Sequence, residues 1–223
     1  MPVTLKFLDR VLSRKTASAS DVALAAKARA VIDEADAFSE VSGAILEMSL
    51  GVGEFLKPHY PASDEGDRLN QWFWTQAEAI FFSLHMVNRI TLKKLGTERR
   101  ALIADKLGPR TLEVFVRVTF KDGDEQQAMK KSLLAGLQER EQEYARCHQV
   151  IPDFEKGELF FFTSVTSLAT LKILEAAGHE TLVPVFSDSD ARLFLDLHTW
   201  LTVIYQTSGI PEKVVAAGNA LLM

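Results

Sequence analysis

Along residues 24–52 a small residue recurs every seven positions, at Ala28, Ala35, Ser42 and Ser49. A large apolar residue recurs at the same interval, at Leu24, Val31, Phe38, Ile45 and Val52. Two interleaved heptad rows predict one long α-helix with a narrow packing seam, in which small side chains let a second helix approach and large ones interlock with it. Ser20 or Asp21 can cap this helix, which is expected to run to about Lys57. Asp33, Glu40, Glu47 and Glu54 share the heptad but fall at the position opposite the seam, so they predict a solvated acidic face rather than a metal site.

A loop with two prolines and an acid cluster follows, and a second long helix is expected from Asp67 to Leu95. Trp72, Phe73, Trp74, Ile80, Phe81, Leu84, Met86, Val87 and Ile90 cover most of its circumference, which predicts a largely buried element. Gln71, Thr75, Glu78, His85, Arg89 and Lys93 fall within an arc of about 80° at 100° per residue. On a peripheral helix this arc is the solvent stripe, which is the expectation here. Facing another helix, it becomes a buried network or lines a pocket, with Glu78, His85, Arg89 and Trp72 as ligand-binding candidates.

Gly96 is expected to end the second helix, with Thr97 starting a short one that stops before Gly108-Pro109. Residues 110–121 alternate like a strand, yet a lone strand would lack a partner, so a helix is predicted there too. A charged helix from Glu125 to His148 follows the Asp122-Gly123-Asp124 turn. Helices at about 158–177 and 188–207 come next, and a short one after Pro211. The fold class is therefore all-α: an antiparallel helical bundle built on two long helices, about 20–57 and 67–95, plus shorter ones. Residues 1–18 read as an amphipathic N-terminal segment and 19–223 as a single helical domain.

With 47% hydrophobic and 25% charged residues, the composition is that of an ordinary globular protein. A net charge of −5 argues against a general nucleic-acid binder. The single cysteine, Cys147, leaves no internal disulfide and fits a reducing, cytoplasmic setting. Organelle targeting by residues 1–20, which alternate basic and apolar side chains, stays open. No apolar run reaches the roughly 20 residues of a transmembrane helix.

Several strings resemble chemistry without supplying it. Val31 to Asp36 spells the acidic motif of DEAD-box helicases, but the chain has no phosphate-binding G-x-x-x-x-G-K-[ST] loop. Ala104 to Gly108, with Val114, resembles a DNA-binding helix-turn-helix within 97–121. Seven basic residues against Glu98 and Asp105 give residues 89–110 a local charge of +5. The would-be recognition helix is nevertheless too apolar for a wet groove. The five histidines, at 59, 85, 148, 179 and 198, form no metal-binding pair, and neither cofactor nor metal is expected.

The expected role is accordingly a non-enzymatic interaction or assembly module, self-associating as a homodimer through late helices at about 158–207. The alternatives are an aromatic-lined binder of a small apolar ligand, or an enzyme acting on one, with the Glu78/His85/Arg89 stripe at its pocket. A DNA-binding regulator using 97–121 is the third.

Overall fold

The computed structural model describes residues 38–61, 64–147, 154–179 and 188–220. The acidic string at 31–36, the N-terminal segment and the first half of the heptad helix lie outside them. Among the described residues the fold is all-α, with no strand. The helices are α1 (Ser39–Leu56), a 3-10 turn (Lys57–His59), α2 (Glu65–Leu95), α3 (Thr97–Thr119), α4 (Gly123–Arg146), α5 (Phe154–Ala176), α6 (Asp188–Thr207) and α7 (Ile210–Ala220). No helix among the described residues is long and apolar enough to cross a membrane.

The described residues fall into two compact units, one formed by 38–47, 86–135 and 206–220, the other by 48–61, 64–85, 136–147, 154–179 and 188–205. In the first unit Phe38, Val41, Ile45, Ile103, Leu107, Leu112, Phe115 and Ile210 are all buried. Ser42, on the small row of the seam, is 1% exposed and its Oγ lies 2.9 Å from Thr111 Oγ1. Thr111 already donates its hydroxyl proton to the Leu107 carbonyl at 2.8 Å, so Ser42 is the donor between the two. The seam at this level is thus closed by α3. Of the acids opposite the seam, Glu40 and Glu47 are exposed and Glu54 is half-buried, while Asp33 lies outside the described residues.

Residues 97–119 form one helix, not a short helix followed by a turn. A proline usually drives the preceding residue out of the α region by clashing with its Cβ. Gly108 has no Cβ, which relieves part of that clash, and the helix continues through Pro109 between the buried Leu107 and Thr111. With no turn in the segment, the helix-turn-helix reading has no structural motif to rest on. Asp122 then caps α4, its carboxylate accepting the backbone N–H groups of Asp124 and Glu125 at 2.9 and 3.1 Å.

In the second unit α1 and α2 run antiparallel, since Met48 contacts Ser83 while Gly53 lies against Trp72 and Gln76. A Cβ on Gly53 would stand 3.0 Å from the Trp72 indole nitrogen. Val52, Leu56, Ile80, Phe81, Phe82, Val165, Ile173, Leu197 and Leu201 fill this core.

Candidate functional site

The polar stripe of α2 is not a solvent face. Thr75, Glu78 and His85 are 0%, 6% and 3% exposed. What buries Glu78 and His85 is the most charged stretch of α4. Gly136 opens the way: a Cβ there would stand 3.2 Å from the Phe81 ring, so glycine lets α4 lie close against α2. One turn on, Arg140 grips Glu78 with both arms of its fork, Nε to Oε2 at 2.8 Å and Nη2 to Oε1 at 2.9 Å. Its remaining arm donates to Glu143 at 2.9 Å.

His85 follows the same pattern. Its Nδ1 lies 2.9 Å from Glu141 Oε2, which places the proton on that nitrogen as donor to the carboxylate. The ring also packs on Tyr144, with centroids 5.0 Å apart. Tyr144 is fully buried, and its hydroxyl has no hydrogen-bond partner among the described residues. Burial, reinforced by the Glu78 charge, holds the Tyr144 phenol well above its ordinary range. Burial also pushes the Glu78 carboxyl up, against the pull of Arg140. For Arg140 burial works the other way, but the Glu78 hydrogen bonds outweigh it and hold the guanidinium protonated.

Of the four residues singled out on α2, Glu78 and His85 thus each pair with a residue of α4. Trp72 is half-buried against Gly53, and Arg89, also half-buried, falls in the other unit. Glu78 spends both oxygens on Arg140, and little of either side chain reaches solvent. No group of three or more His, Cys, Asp or Glu side chains among the described residues is arranged to hold a metal ion.

An open site lies elsewhere in the same unit. A half-open pocket of about 680 Å³ forms where the end of α1, the C-terminus of α5 and the first turns of α6 converge. Phe55 and Leu193 form its apolar wall, and His59 stands beside Phe55 with ring centroids 6.4 Å apart. His179 enters because of how α5 stops. Gly178 adopts φ +90°, its N–H bonds the Glu175 carbonyl, and the His179 N–H bonds Leu174 O, both at 2.9 Å. This pair of bonds is the Schellman arrangement, which needs a left-handed residue at the Gly178 position. The Gly178 backbone also packs on Gln71 and Pro61, leaving no room for a Cβ.

His179 Nδ1 faces Asp190 Oδ1 at 3.7 Å, within ion-pair reach but beyond a hydrogen bond. Ser189, Arg192 and Asp196 of α6 complete the lining. Sequence reasoning missed this site, because 120 positions separate His59 from His179 and no spacing rule joins them. The one available signal was Gly178 at the end of an apolar helix, which marks a stop and so places the residue after it. In comparison with known proteins, no family model, no curated protein and no solved structure matches this chain.

Proposed function

We propose that the protein binds a small molecule in the pocket beside Phe55 and His179. The observation that carries this reading is one concave site in which an apolar wall meets ionisable side chains from three separate elements. Its volume, about 680 Å³, falls in the range of natural ligand sites. The sequence-derived alternative, a ligand site along the α2 stripe, is disfavoured by the burial and mutual pairing of Glu78 and Arg140. A fragment screen followed by two-dimensional 15N NMR tests the reading. Shifts should cluster at Phe55, His59, His179 and 189–196. Shifts confined to other surfaces, or none from any fragment, would remove it.

Self-association is a second reading, favoured by one observation. Leu195 and Val203 of α6 are 62% and 54% exposed, and lie two turns apart on one face with Thr199 between them. A homodimer through this face should sediment as twice 24.8 kDa at tens of micromolar. The double variant Leu195→Lys, Val203→Lys should return it to the monomer. A wild-type protein that sediments as a monomer would exclude the dimer.

A further inference from the structure

We infer that the ligand of this pocket is a zwitterion of the α-amino-acid type, carrying an apolar or aromatic side chain. The inference rests on the pocket reading above and turns on charge. Five ionisable groups line the pocket: His59, His179, Asp190, Arg192 and Asp196. Asp190 is engaged by His179 at 3.7 Å. Arg192 and Asp196, also in the lining, have no ion-pair partner among the described residues. They sit four positions apart on α6, so they rise from one helix face a turn apart, with Cβ atoms about 5–6 Å from each other.

That pair decides the ligand class. An organic cation would satisfy Asp196 but bring its charge against Arg192. An organic anion would satisfy Arg192 and meet Asp196. A neutral apolar molecule would leave the two charges to each other and to water and gain no charge-assisted contact. A ligand with an ammonium and a carboxylate a few ångströms apart answers both groups at once. Arg192 offers a planar fork suited to a carboxylate, and Asp196 accepts from an ammonium. Phe55, Leu193 and the neighbouring His59 ring then supply a surface for a side chain.

Titration calorimetry on the full chain at neutral pH tests this with three probes of similar size: L-phenylalanine, 2-phenylethylamine and 3-phenylpropanoate. Phenylalanine should bind tightest, with each single-charge analogue weaker by about tenfold or more, as expected for one lost charge-assisted contact. Asp196→Asn should bring phenylalanine down to the level of 3-phenylpropanoate and leave 3-phenylpropanoate itself no weaker. Arg192→Gln should do the converse, bringing phenylalanine down to the level of the amine. Both positions are solvent-exposed, so both variants should keep the wild-type melting temperature. Equal binding of phenylalanine and either analogue would overturn the assignment, as would either substitution leaving all three affinities unchanged. If none of the three binds while fragments still shift the pocket resonances, the zwitterion is wrong and the pocket stands. If no compound shifts those resonances, the pocket reading itself has failed.

Discussion

Removing the Glu78 carboxylate should cost this protein more than almost any other single polar change. In Glu78→Ala the Arg140 guanidinium keeps Glu143 at 2.9 Å and the exposed Glu139 at 4.0 Å, with its own side chain just 17% exposed. Breaking one side of a buried ion pair typically costs about 3–5 kcal/mol, because the surviving charge is left desolvated. The remaining Glu143 contact and the partial exposure of Arg140 place the expected loss near the lower end, about 3 kcal/mol. Replacing both partners by apolar residues of similar volume, Glu78→Leu with Arg140→Met, should be far milder, within about 1 kcal/mol of wild type. Urea titration followed by tryptophan fluorescence suits the question, since Trp72, Trp74 and Trp200 all belong to the unit that holds the pair. The double-mutant cycle then isolates the coupling. A loss below about 1 kcal/mol in Glu78→Ala would refute the argument, showing that the pair is effectively hydrated.

Three further outcomes are expected. Ser42→Leu should lower stability by about 1–3 kcal/mol through overpacking against Thr111, and an unchanged melting temperature would mean that the seam is open there. Tyr60, whose phenol burial pushes up to about 12 from 10.0, stays protonated in the fold while the unfolded chain ionises. The unfolded state therefore gains as pH rises through 10, and about 2–3 kcal/mol should be lost by pH 12. Alkaline denaturation of Tyr60→Phe should lack that increment, and identical curves would exclude the assignment. Gly178→Ala forces a left-handed conformation and a contact with Gln71 on an L side chain, so it should cost at least about 1 kcal/mol and move the His179 resonances. Unperturbed His179 shifts would show that the turn does not set the pocket.

The heptad seam was legible because its information is local: Ser42, Ile45, Ser49 and Val52 lie on one helix, and period alone tells which side is buried. The stripe on α2 failed for the complementary reason. Periodicity shows that Glu78 and His85 share a face, but it cannot show that α4 turns Arg140, Glu141 and Tyr144 toward them. Both faces read as solvent in isolation, and only their meeting makes them interior. The break expected at Gly108-Pro109 reflects a rule taken one residue at a time. Pro109 resists a helix, yet the glycine before it relieves part of the clash, and the buried residues on either side carry the helix through. The pocket lay beyond sequence reasoning because its chemistry is spread over the end of one helix, the stop of another and the start of a third.

The proline within α3 has a dynamic consequence. Pro109 has no N–H, so the Asp105 carbonyl, four positions earlier, lacks its helical donor and must find water at an exposed turn. Helix propagation is cooperative only while that ladder is unbroken. Fraying that begins at Thr97 is held by Ile103 and Leu107, which are already buried in the core, so the missing bond is a local weak point between two buried stretches. Amide exchange in α3 should be fastest at 97–102, with a second local maximum beside Pro109, and slowest around Leu112 and Phe115. A helix continuous by geometry thus carries an interior point of local opening.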